Sequence, residues 1–196
     1  MHEEIVFSGF GGQGALFAGQ LLAYAGLDFG LQVTWIPSYG PEMRGGTAHC
    51  TVIVSDEAIG APLVRRPAAV VALNLPSFEK YEPLVKPGGL LVYNESLIPV
   101  QPSRTDIRYV AVPANVVAEE LGNVRQANVV LLGAYLAATG LLPLDAVEVA
   151  LDRHLSDRQR RFLASNKEAL RRGAECAERP HTGEGTVPLP LELTRA

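Results

Sequence analysis

The sequence predicts an α/β fold: a three-layer, Rossmann-like sheet of about six strands with flanking helices and a helical C-terminal part. Two patterns carry this expectation. Through the first half of the 196 residues, short runs rich in Val, Ile and Leu alternate with helical or turn segments. Such continuous apolar runs belong to strands buried on both faces. From Pro113 onward the apolar residues recur with a helical period instead.

The elements follow in order. EEIVFSG is a first strand, ending in the glycine loop GFGGQG, and Ala15 to Phe29 reads as a helix. LQVTWI is a second strand, which Pro37 is expected to close. TAHCTVIVS is a third, AAVVAL a fourth, GLLVYN a fifth and IRYVAV a sixth. A helix around Ser77 to Leu84 and the turn Lys86-Pro87-Gly88-Gly89 separate the fourth and fifth. Ala114 to Leu121 is a short helix closed by Gly122. Gln126 to Thr139 is apolar on most sides, a buried helix that Gly140 can cap. Leu144 to Leu155 follows Pro143, with Asp145 in the favourable first turn. Ser156 could cap a last long helix reaching Glu178. Beyond Arg179 the composition turns to Pro, Gly and Thr, and an extended tail is expected.

Composition narrows the function. A formal net charge of −4 without a basic block outside the last helix disfavours nucleic acid as a partner. No uninterrupted apolar run is long enough to span a membrane. MHEEIVF carries two acids and leads straight into a strand, so no leader peptide is expected and the location reads as cytoplasmic. Cys50 and Cys176 are too few for an iron–sulfur cluster, which takes four thiolates, and the scattered histidines do not complete a structural zinc site.

Residues 6–19, VFSGFGGQGALFAG, place Gly9, Gly11 and Gly14 in the spacing G-x-G-x-x-G between a strand and a helix. Such a loop exposes backbone N–H groups at a helix start and admits a phosphate. The nucleotide-binding form of this motif needs a carboxylate at the end of the second strand to hold a ribose. Here that strand ends Pro37-Ser38-Tyr39, and the nearest acids, Asp28 and Glu42, stand elsewhere. A stand-alone NAD(P)- or flavin-binding oxidoreductase therefore remains only an alternative. Close packing of the glycines against a partner is another.

The second unusual segment is PSYGPEMRGG, expected to leave the carboxyl end of strand two next to where the glycine loop leaves strand one, at the edge where ligands bind in open α/β sheets. GFGGQG, this loop about 25 residues later, TVIVSDEAIGAP and LGNVRQANVVLLGAYLAATGLL together resemble the gamma subunit of 2-oxoacid:ferredoxin oxidoreductases. That family covers pyruvate, 2-ketoisovalerate and 2-oxoglutarate oxidoreductases and the related indolepyruvate enzymes. The likeness runs from about Ile5 to Arg172. It implies a gamma domain over residues 1–179, with the tail at 180–196. It also implies oxidative decarboxylation of a 2-oxoacid with coenzyme A (CoA), giving acyl-CoA, CO2 and reduced ferredoxin. Thiamine diphosphate and iron–sulfur clusters would sit on alpha and beta subunits, with or without a delta subunit. This chain would bind none of them alone and would supply structure and part of the CoA site. The candidate contacts are Gly9, Gly11, Gly12, Gln13, Gly14, Ser38, Tyr39 and Arg44. Gln13 could equally cap its own turn, and Arg44 could pair with Glu42. Met43 and Thr47 suit packing and turn capping. His49 and Cys50 point to opposite faces of their strand, which disfavours a nucleophilic pair.

Overall fold

The computed structural model describes residues 1–39 and 47–178. Six strands form one sheet in the order β2-β3-β1-β4-β5-β6, with β1 His2–Phe10, β2 Gln32–Tyr39, β3 Thr47–Ser55, β4 Ala69–Ala72, β5 Leu90–Asn94 and β6 Arg108–Val112. Strands β1, β4, β5 and β6 run parallel, whereas β3 is antiparallel to both of its neighbours, β1 and β2. The helices are α1 Ala15–Asp28, α2 Leu75–Tyr81, α3 Ala114–Glu120, α4 Ala127–Thr139, α5 Leu144–His154, α6 Asp157–Arg160 and α7 Leu163–Glu178.

The pleat sorts the side chains. Ile5 and Phe7 of β1, Cys50, Val52 and Val54 of β3, and Val71 of β4 join a core that contains α1, α4, α5 and α7. The alternate positions Val6, Val70, Ala72 and Leu91 face the other way, where Phe78 and Tyr81 of α2 cover them. All residues of β4 and β5 are buried, as their unbroken apolar runs require.

Three sequence expectations need correction. Pro37 does not close strand two: β2 continues to Tyr39, with Pro37 paired opposite Cys50. Because β2 is the sheet edge, the missing N–H costs no ladder bond on its open side. Strands one and two are not neighbours, since β3 stands between them. The last long helix is two: Ser156 and Gln159 form a capping box on α6, which stops at Arg160 before α7 begins at Leu163. Gly140 caps α4 in the left-handed conformation (φ 63°), its N–H bonded to the Leu136 carbonyl. The tail at 180–196 lies outside the described residues.

Candidate functional site

After β1 the chain passes through α1 on one face of the sheet; after β4 it passes through α2 on the other. Adjacent parallel strands whose connections diverge in this way leave a crevice at their carboxyl ends, where α/β proteins bind ligands. A concavity of about 150 Å³ lies there, lined by Gly12, Gln13, Leu73, Asn94, Asn115, Val124, Arg125 and Ala127.

Glycines shape its rim. Gly12 (φ 101°) and Gly14 (φ 83°) adopt left-handed backbone that other residues reach only with strain. A Cβ on Gly14 would stand 2.4 Å from Asn128 Nδ2, whereas one on Gly12 would meet nothing within 4 Å. The space over Gly12 is therefore open. Gly9 lies within β1, where a Cβ would come 2.9 Å from Gln13 Oε1, so it serves packing. Gly11 lies in the turn between β1 and α1.

Gln13 braces the loop. Its Oε1 accepts from the Phe10 N–H at 2.7 Å and from Asn74 Nδ2 at 2.8 Å. Asn74 Oδ1 in turn accepts from the Ser77 N–H and caps α2. Gln13 thus caps its own turn and ties β1 to β4 across the crevice. Asn128 Nδ2 donates to the Gly14 carbonyl at 2.9 Å, joining α4 to the start of α1.

The electrostatics favour an anion. The helix α1 begins without a side-chain cap or an acidic residue in its first turn, so its first N–H groups and positive dipole end stay uncompensated. Helix α4 also lacks an acidic first turn, but it continues a 3-10 turn at Val124–Gln126, and the Ala127 N–H is bonded to the Val124 carbonyl. Gly12 and Gln13 precede α1, Ala127 opens α4, and the exposed Arg125 stands beside it. Asn94, 1% exposed at the end of β5, donates through Nδ2 to Asn115 Oδ1 at 2.8 Å, while its Oδ1 has no partner.

Among the other candidates, Ser38 is exposed near the end of β2, and Tyr39 is that strand's last residue. Tyr39 pairs with Ala48 of β3, and Phe10 of β1 pairs with the adjacent Thr47. Both loops therefore leave the same sheet end, one strand apart. Glu42, Met43 and Arg44 lie outside the described residues. Sequence reasoning missed Asn74, Asn94, Asn115 and Arg125.

The chain's own residues do not fit an iron–sulfur cluster. Cys50 is fully buried, and burial raises its thiol to about 12, against the smaller opposing effect of the Trp35 indole. Cys50 is accordingly expected to resist iodoacetamide at neutral pH in the native chain and to react on unfolding, read by peptide mass spectrometry. His49 points to the opposite face beside Tyr81, its pKa lowered by burial and then by Lys80. Among the described residues no group of three or more His, Cys, Asp or Glu could hold a metal ion, and no helix is long and apolar enough to cross a membrane. The intervening β3 also removes the dinucleotide alternative's geometry, because a carboxylate on β2 would not adjoin the glycine loop.

Comparison with known proteins points the same way. Residues 4–176 match the family described as pyruvate ferredoxin/flavodoxin oxidoreductase. The ketoisovalerate oxidoreductase subunit VorA of Methanothermobacter thermautotrophicus is 37% identical over 183 residues, covering 92% of this chain. The chain spans 38% of that relative's length. A keto/oxoacid ferredoxin oxidoreductase gamma subunit from Geobacter sulfurreducens superposes with a TM-score of 0.76 at 33% identity, over 89% of this chain and 98% of the other. The 2-oxoglutarate:ferredoxin oxidoreductase of Magnetococcus marinus, solved with 2-oxoglutarate, coenzyme A and succinyl-CoA bound, superposes with a TM-score of 0.81 at 25% identity. That match covers 90% of this chain and 31% of the other.

Proposed function

Because this chain belongs to the pyruvate ferredoxin/flavodoxin oxidoreductase family, we propose that it is the gamma subunit of a 2-oxoacid:ferredoxin oxidoreductase. The assembled enzyme converts a 2-oxoacid, CoA and oxidised ferredoxin into acyl-CoA, CO2 and reduced ferredoxin. Thiamine diphosphate and the iron–sulfur clusters belong to alpha and beta subunits, with or without a delta subunit, and the complex works in the cytoplasm. The isolated chain is inert.

This chain's part is to hold CoA. One observation carries that reading: the crevice at the ends of β1, β4 and β5, where the uncapped start of α1 and the exposed Arg125 border the open space above Gly12. Backbone N–H groups at the glycine loop donate to a phosphate of CoA, and the Arg125 guanidinium adds charge. The Nε2 of Gln13, whose Oε1 is already engaged, supplies a further donor. Gly11, Gly14 and Gly9 shape the cradle, Ser38 and Tyr39 at the end of β2 extend it, and Arg44 is a further candidate contact. No acid or base in the crevice is placed for proton transfer, so the role is binding and orientation.

Arg125→Ala in the assembled complex tests this. The expected result is a KM for CoA raised about fivefold, with kcat and subunit composition unchanged. An unchanged KM would remove Arg125 and the crevice from the CoA site.

A further inference from the structure

Between β3 and β4 the chain runs through 56–68 without helix or strand, at the sheet end opposite the crevice. It is fastened at both ends. The Asp56 N–H donates to the Met1 carbonyl and the Glu57 N–H to Ser55 Oγ, while the Pro67 carbonyl accepts from the Lys86 N–H. Between these anchors, none of residues 58–66 makes a hydrogen bond to another described residue. Loops of this length without internal structure are uncommon in compact domains, and those that persist commonly bind something.

Its side chains are placed against the usual economy of a surface. Leu63 is 83% exposed, more than any other large apolar side chain described. Arg65 and Arg66 follow it, both exposed and neither in an ion pair with another described residue. By contrast Arg104, Arg171 and Arg172 are each paired with a carboxylate. Pro62 and Pro67 restrict the backbone on either side. A stiff segment anchored at both ends loses little conformational entropy when it docks.

We propose that 57–66 is a docking arm for another subunit of the oxidoreductase complex, on a site that joins an apolar slot to an acidic lip. The slot receives Leu63, and carboxylates on the lip pair with Arg65 and Arg66, the guanidinium forks matching them bidentately. The charge at the arm's far end is what selects this partner: Arg65 and Arg66 stand together there, away from Asp56 and Glu57 at its start, on a chain whose net charge is −4, so that end suits an acidic neighbour. The inference rests on the chain being a subunit, but not on the CoA crevice, which lies at the other end of the sheet.

The test compares complexes purified through a tag on this chain, bearing Leu63→Asp, the pair Arg65→Glu and Arg66→Glu, or Val149→Asp on the exposed face of α5 as control. Leu63→Asp is expected to lower recovery of the thiamine diphosphate-bearing partner about tenfold. The double arginine variant is expected to come apart at lower salt than the wild type. The control should assemble normally, and all isolated variants should melt as the wild type does. Full recovery with Leu63→Asp overturns the arm while leaving the subunit assignment standing. A wild-type chain that recovers no such partner overturns both. Sedimentation of the isolated chain with anionic phosphatidylserine vesicles, abolished by the arginine substitutions, would assign the arm to a membrane and overturn it as a subunit contact.

Discussion

Gly133→Ala is expected to destabilise the chain by about 3 kcal/mol, the upper end for forcing one methyl into a packed core. For a domain of this size that loss lowers the melting temperature by roughly 6–12 °C. The cause is how closely α4 and α7 cross. A Cβ on Gly133 would stand 1.9 Å from the Leu170 carbonyl oxygen and 2.8 Å from its carbon. The contact is reciprocal, since a Cβ on Gly173 would stand 1.9 Å from the Val130 carbonyl oxygen. Both obstacles are backbone, so no rotamer change relieves them and the helices must separate. Leu131, Leu132 and Tyr135 of α4 and Leu170 of α7, all fully buried, would lose close packing together. Denaturant unfolding with an unchanged m-value checks the size. A loss under about 1 kcal/mol would contradict so close a crossing.

The effect should also reach the crevice. Asn128 of α4 holds Gly14, and Gln126, just ahead of α4, donates to Ser165 and Asn166 of α7. Separating the helices therefore displaces the elements that shape the anion cradle. The same crossing explains why one part of the fold was hidden in the sequence. DRQRRFLASNKEALRR carries a single helical pattern, yet the chain breaks between Arg160 and Leu163. The axis of α7 answers to a helix far back in the chain, which a local period does not report.

Local signals were sufficient elsewhere. The apolar runs at β4 and β5, and the strand–glycine–helix succession of β1 and α1, fix those elements within a residue or two. Strand order was not legible, because LQVTWI alternates in the same way whether it lies beside β1 or beyond β3. The site divides along the same line. The glycine loop is contiguous and announces itself, while Asn74, Asn94, Asn115 and Arg125 stand on separate elements and share no motif. One weak signal was available: Asn74 and Asn94 each end an apolar strand, and Asn115 opens the helix after the next one, the positions that ring the carboxyl edge of a parallel sheet.

Gly12→Ala is expected to raise the KM for CoA about tenfold in the assembled complex, with Gly14→Ala as the comparison that gives the result its meaning. Both positions hold left-handed backbone, at φ 101° and 83°, so alanine costs about 1–2 kcal/mol of strain at either. They differ in what the new methyl meets. At Gly14 it meets the Asn128 amide, which must give up its bond to the Gly14 carbonyl, and stability falls further. At Gly12 it meets no protein atom and projects into open space at the crevice. If a phosphate approaches the loop there, the methyl occupies the room that the ligand needs. Gly12→Ala should then be the milder variant in melting and the more harmful in KM for CoA. The reverse order, or equal KM values, would leave Gly12 a turn residue and take the ligand away from the glycine loop.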